Sequence, residues 1–260
     1  MGNERQFLIM KKSVKQITLG IFLVSSFCGN SQTIVDTFDG SGAPDASKWT
    51  YANPYSDSNV YQGGGYLNLL NRGTLFSKDE FGSYIEISGS MKFTGSSKDN
   101  IRLFLRTDKY MTPSNASSQL THGIQIGFAP GYGAGISEFY GFPAGSDKPS
   151  DPDGWEPLAA TSGSGYFSMN VEETFKVTDD GYTINLFLRD MVNPVATANS
   201  TLRYGGFFAI QNREGGLGGS WESDGSNVAI NSLTIVPEPS AISLLAIGLG
   251  GLAMIRRRRS

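Results

Sequence analysis

One cysteine, Cys28, and one histidine, His122, are all that the 260 residues contain. So few thiol and imidazole groups exclude a disulfide framework and most zinc or copper centres, which need several such side chains. A Ser-His-Asp relay would have to use His122, which stands just before the apolar alternation of Gly123 to Phe128, and no nucleophile-elbow sequence accompanies it. A turn or partly buried histidine is the simpler expectation. Basic side chains are also scarce in the body of the chain: residues 32–236 hold 13 against 22 acidic ones, a net charge of −9. Such a domain repels phosphate backbones, so nucleic acid is not an expected partner. Helical periodicity and internal repeats are missing as well, and glycine-rich patches such as Gly215 to Gly219 read as loops.

What the body does contain is alternation. Ile85, Ile87, Met91 and Phe93 share one face of Tyr84 to Phe93, and Ile101, Leu103 and Leu105 one face of the next segment. Ile124, Ile126 and Phe128 form a third stripe, and Tyr182, Ile184, Leu186 and Leu188 a fourth. Period two between clusters of Gly, Pro, Asn, Asp and Ser is the signature of strands and turns. The expected fold is all-β, an antiparallel jelly-roll β-sandwich over residues 32–236, and about 205 residues suits one domain with a single core. Near its end Val228 and Ile230 are in phase, whereas Leu233 and Ile235 fall on the opposite parity. A β-bulge near Asn231-Ser232 would absorb that slip.

Both ends have a different character. Lys11, Lys12 and Lys15 precede an apolar stretch from Ile17 to Phe27, the layout of a secretory signal peptide over residues 1–31, with Met10 as an alternative start. Signal peptidase would cut between Cys28 and Gln32, and Phe27 stands where a lipidation signal at Cys28 would want a small residue. At the other end, over residues 237–260, Pro237-Glu238-Pro239 breaks the last strand, Ala241 to Ile255 is apolar, and Arg256, Arg257, Arg258 and Arg259 follow. As a helix those fifteen apolar residues rise about 23 Å, short of the roughly 30 Å hydrocarbon core, which suits a temporary handle better than a permanent anchor. The four arginines would be held on the cytoplasmic side. This order of parts resembles the PEP-CTERM sorting tail of Gram-negative bacterial surface proteins. The resemblance implies a transmembrane sorting helix in the inner membrane and recognition of Pro237, Glu238 and Pro239 by an exosortase-type enzyme. Release to the cell surface or extracellular matrix would follow.

The body resembles a second family. Asp36-Thr37-Phe38-Asp39-Gly40 followed by Asp45-Ala46-Ser47-Lys48-Trp49 is similar to the opening of concanavalin A-like lectin/glucanase domains, with Pro44 in place of an apolar residue. Gly64 to Leu69 and Phe81 to Glu86 resemble the strands that come next, and Leu103 to Asp108 and Asp180 to Leu186 resemble laminin G-type strands. Retaining glycosidases of this fold carry Glu-x-Asp-x-Glu or Glu-x-Asp-x-x-Glu on a mid-domain strand, because nucleophile and acid must flank the bond about 5 Å apart. Glu222-Ser223-Asp224 is the only Glu-x-Asp here, it has Asn227 where a second glutamate would stand, and it sits in a glycine-rich stretch near the end of the domain. The expectation is therefore a non-enzyme, with a glycoside-active enzyme of the same fold and a purely structural envelope component as the alternatives.

Two candidate sites remain. Calcium needs only oxygen ligands. The acidic stretch Asp147 to Glu156 departs from calcium-loop spacing, and by analogy with sandwiches that pair first and last strands, Asp36 or Asp39 could meet Asn231. Opposite the apolar stripes lie Arg102, Phe104 and Arg106, then Gln125, then Asn185, Phe187 and Arg189, with Gln211 near them. Flat aromatics beside planar donors suit sugar rings and hydroxyls, so extracellular polysaccharide is the expected partner of this face. The competing expectation has Phe104 and Phe187 covered by loops such as Thr112 to Gln119 as a second small core, while Trp155 and Trp221 could extend a site from loops.

Overall fold

The stripe of Ile85, Ile87, Met91 and Phe93 becomes the buried face of β6 (Tyr84–Phe93), and each side chain is at most 3% exposed. The structure is a computed structural model, and it describes residues 33–53, 58–82, 84–95, 100–107, 122–130, 133–140, 155–161, 165–202, 206–213 and 227–237. None of these residues is helical. The other strands, in chain order, are β1 (Ile34–Asp36), β2 (Trp49–Ala52), β3 (Asn59–Gly63), β4 (Tyr66–Leu70), β5 (Thr74–Ser77), β7 (Asn100–Thr107) and β8 (His122–Ala129). After them come β9 (Gly133–Tyr140), β10 (Trp155–Ala160), β11 (Glu173–Asp180), β12 (Thr183–Leu188), β13 (Ala196–Asn199), β14 (Phe207–Arg213) and β15 (Asn227–Pro237).

Two antiparallel sheets form a sandwich. The first runs β13-β12-β11-β6-β15-β4-β3, with β1 also paired to β15, and the second runs β10-β9-β8-β7-β14-β5-β2. Between them lies a single apolar core in which Phe175 of the first sheet meets Phe128 of the second. Phe167 packs edge-on to both Phe93 and Phe128, with ring centroids 5.6 and 5.5 Å apart. Such geometry favours the ring quadrupoles as well as burial. Trp49 fills the core's other end between Phe38 and Phe208, and its indole N–H donates to Asp36 at 2.8 Å.

Turn chemistry follows the residues. Gly64 and Gly65, at φ of 66° and 77°, close the two-residue β3–β4 hairpin, a conformation that a side chain would strain. β15 slips register against β6 between Ile230 and Ser232, so the bulge falls where the parity change places it. First and last strands pair directly, with Ile34 opposite Ile235 and Asp36 opposite Leu233. The chain thus enters and leaves the sandwich at neighbouring strand ends.

Candidate functional site

The centre of the second sheet is built by β14, β7, β8 and β9, and their alternate residues turn away from the core. In one row Gln211, Arg102, Gly127 and Gly135 lie side by side, and in the next Ala209, Phe104, Gln125 and Ser137. Arg102 donates from Nη1 to Gln125 Oε1 at 2.9 Å and from Nε to Asn100 Oδ1 at 3.3 Å, which fixes the plane of the guanidinium along the sheet. Gln211 donates to Thr74 Oγ1 at 2.9 Å. Gln125 and Gln211 are buried, whereas Arg102, Gly127, Gly135 and Ser137 keep partial access to solvent. A Cβ on Gly127 would meet only Gln125 Nε2, at 3.9 Å. Two adjacent glycines therefore leave a low floor beside a fixed guanidinium.

Phe104 belongs to this face but is 5% exposed, so it lies beneath the surface rather than forming an open platform. Arg106 does not belong to it. At φ 55° the backbone turns the Arg106 side chain inward, where its Nε donates to Asp179 at 2.7 Å, its Nη2 pairs with the same carboxylate, and its Nη1 donates to the Leu202 carbonyl. Asp179 sits on β11 of the opposite sheet, so this pair is a buried tie between the sheets. Burial raises the Asp179 carboxyl above its ordinary range, and Arg106 opposes that shift.

Asn185, Phe187 and Arg189 lie with the first sheet, so the structure does not unite them with Arg102, Phe104 and Gln125. Asn185 is held between Thr178 and Thr197. Phe187 is 8% exposed with the Lys176 ammonium 4.2 Å from its ring centroid. Arg189, just past the end of β12, grips Glu173. Period two tells which residues share a side of one strand, but it carries no information on which sheet that strand joins.

The oxygen ligands are not gathered either. Asp36 accepts from Phe38 N at 3.0 Å and from the Trp49 indole, with Lys48 Nζ at 3.6 Å. Asp39 accepts from Thr37 Oγ1 at 2.6 Å, and Asn231, at the bulge, donates to Glu172 at 2.7 Å. Asp36 and Asp39 thus accept from donors of the protein itself, while Asn231 is turned as a donor to Glu172. No cluster of three His, Cys, Asp or Glu suited to a metal occurs among the described residues.

Glu172 was not visible as a site residue in the sequence because its partners come from distant segments. Ser90 and Asn231 donate to one oxygen and Tyr66 to the other, and these bonds hold its carboxyl below the usual range. A carboxyl lowered in the folded state stabilises the fold above its unfolded pKa, and the contribution disappears as pH falls through the folded value. Wild type and Glu172→Gln are therefore expected to differ in thermal midpoint near neutrality and to converge only as pH falls below the ordinary carboxylate range, as calorimetry at a series of pH values would read.

His122 opens β8, and Trp155 opens β10 opposite Phe139 rather than lying in a loop. Trp221, Glu222 to Asp224, Thr112 to Gln119, Asp147 to Asp153, Glu238, Pro239 and the four terminal arginines lie outside the described residues. On β8 itself the outward positions read Gly123, Gln125 and Gly127. Glu138 is fully buried and bound by Thr201 N at 2.6 Å and Thr201 Oγ1 at 3.0 Å.

The tail is decided by comparison: residues 236–259 match the PEP-CTERM protein-sorting motif. The chain ends in a PEP-CTERM sorting motif. That motif implies export, a C-terminal membrane anchor before processing, and processing by an exosortase. No curated protein matches the chain. Among solved structures this PEP-CTERM chain is similar to the LamAcat protein of Zobellia galactanivorans (17% identity, TM-score 0.55, covering 81% of this chain and 98% of that one). It is also similar to the Bacillus licheniformis β-glucanase (13% identity, TM-score 0.54, 80% and 99%). A structure described with endo-acting O-glycanases of the human gut microbiota matches at 13% identity and TM-score 0.53, over 78% and 98%. These likenesses show that the sandwich shares the fold of those structures.

Proposed function

We propose that the PEP-CTERM chain is an exported, non-catalytic sandwich, sorted by an exosortase to the cell surface or extracellular matrix, whose second sheet engages extracellular polysaccharide on its outer face. The observation that carries this reading is the row Arg102-Gly127-Gly135 beside Gln125, where a fixed guanidinium and amide border a glycine floor. Sugar recognition asks for few, well-oriented polar groups beside a surface a ring can approach. Retaining hydrolysis asks instead for two carboxylates about 5 Å apart. Among the described residues the outward rows of β14, β7, β8 and β9 hold none.

The test is affinity electrophoresis of residues 32–237 in gels cast with the host's own extracellular polysaccharide. Wild type is expected to be retarded, and Gly127→Trp to migrate as it does without polysaccharide, because the indole would stand on the floor. The added Cβ would meet only Gln125 Nε2, at 3.9 Å, an ordinary contact, so the variant is expected to fold, which its thermal melt checks. Equal retardation of both proteins would remove the face from consideration, and release of reducing ends from the polysaccharide would favour the hydrolase reading.

A further inference from the structure

Where the sorting motif begins, the folded domain has not yet ended. The motif starts at Val236, while β15 runs through Pro237. Val236 is paired with Glu86 of β6 and Pro237 with Ile85. On the other side of β15, β1 covers the strand only as far as Ile235, opposite Ile34. Ile235 is fully buried, and the two residues after it are only half-buried. Among the described residues the strand therefore passes from a residue paired on both sides and buried in the core to two residues paired with β6 alone.

A processing enzyme that reads Pro237-Glu238-Pro239 must take hold of backbone around the tripeptide, and recognition of extended chain uses its N–H and C=O groups. Val236 and Pro237 are both paired with β6 at a strand spacing of about 4.8 Å, with backbone groups of alternate residues turned to it and Pro237 lacking an N–H, so no other protein can enter on that side while the pairing holds. We infer that the exosortase acts only after Val236 and Pro237 fray from β6, so that this two-residue end of β15 gates processing and Ile235 marks where the fraying stops. Terminal, one-sided pairs open at little cost, whereas opening Ile235 would break two ladders and expose core. The sandwich would thus be delivered folded, with only its last two residues yielded to the enzyme. This inference rests on the exosortase reading of the tail.

A cross-link tests it, and the chain suits one because Cys28 is its only cysteine. Directly opposed residues of an antiparallel pair lie within disulfide reach. Full-length Glu86→Cys/Val236→Cys, expressed in a cell that carries the processing enzyme, would form the bridge after export. A second full-length chain, Ser88→Cys/Thr234→Cys, bridges another paired position further inside and leaves the last two residues free. Shortening of the chain and its loss from the membrane fraction are followed by immunoblot after a pulse of synthesis. The 86–236 bridge is expected to slow shortening at least tenfold, with recovery on adding reductant, and the 88–234 bridge to leave it at the wild-type rate. Inserting Gly-Ser-Gly-Ser-Gly-Ser between Val236 and Pro237 should speed shortening several-fold, a readout that does not depend on the cross-link. Wild-type rates with the 86–236 bridge and with the insertion would overturn the gate and mean that the enzyme accepts the paired end. Failure of the exosortase reading looks different, because then wild type itself would never be shortened.

Discussion

Arg106→Leu is expected to be among the most damaging single changes to the domain, costing about 3–5 kcal/mol at neutral pH, since it strands the Asp179 carboxylate inside the sandwich. For a domain of this size that is a fall in thermal midpoint of about 6–20 °C. Leucine keeps the Cβ constraint that arginine already bears at φ 55°, so backbone strain is unchanged and the loss reports the charge. The pH dependence has a definite sign. With Arg106 gone, burial, aided by the Asp180 charge and opposed only by the Gly181 N–H, raises the folded pKa of Asp179 above the unfolded value. The penalty is then fully present above that raised pKa and shrinks as pH falls through it, because protonation removes the buried charge. Arg106→Leu/Asp179→Leu should recover most of the stability, as apolar replacement of a whole buried pair often does. Thermal melts of the three proteins at pH 7 and pH 4.5 would check this, and a double variant as unstable as the single one would show that Arg106 acts otherwise than by neutralising Asp179.

Gly89→Ala should be the second large effect, at about 3 kcal/mol, equivalent to a midpoint lowered by roughly 6–12 °C. Gly89 sits opposite Phe175 on one side and Leu233 on the other. An added Cβ would come within 2.3 Å of the Ser232 carbonyl and 3.1 Å of the Phe175 ring. The carbonyl belongs to the bulge of β15 and cannot retreat without opening the ladder to β6. Gly127→Ala is the matched control on the second sheet, where the Cβ meets nothing closer than 3.9 Å and should cost only what ordinary strand positions allow. Similar destabilisation by both alanines would mean that glycine content as such, and not the bulge, is what these positions require.

The missing apolar residue at position 89 is a small example of what the sequence shows and what it does not. The stripe from Ile85 to Phe93 is legible because alternate side chains of a strand share a face, and β6 has the limits that the stripe implies. The bulge at Asn231-Ser232 is legible for the same reason, since a change of parity within an apolar strand has to be absorbed somewhere. Why the stripe skips residue 89 is not, because Phe175 and Ser232 reach Gly89 through pairings 86 and 143 positions away in the chain.

The candidate face divides along the same line. Arg102, Phe104 and Gln125 are outward on strands that are neighbours in both sequence and sheet, so a local reading suffices to put them together. Asn185 and Phe187 have the same outward character on β12, yet β12 pairs with β11 and β13 in the other sheet. A single positive φ at Arg106 turned a predicted surface cation into the partner of a carboxylate 73 residues away.

Taken alone, the sequence determined the secondary structure class, the acidic body with its strand phases, and the sorting tail, because each is written in contiguous residues whose spacing or composition acts locally. Which strands lie side by side, which outward residues share a surface, where the one buried ion pair among the described residues forms, and that the sorting motif begins inside the last strand were decided only by tertiary structure. Those outcomes depend on pairings between distant segments, selected by burial of all the stripes at once in one core, and no stretch of a few residues carries that information.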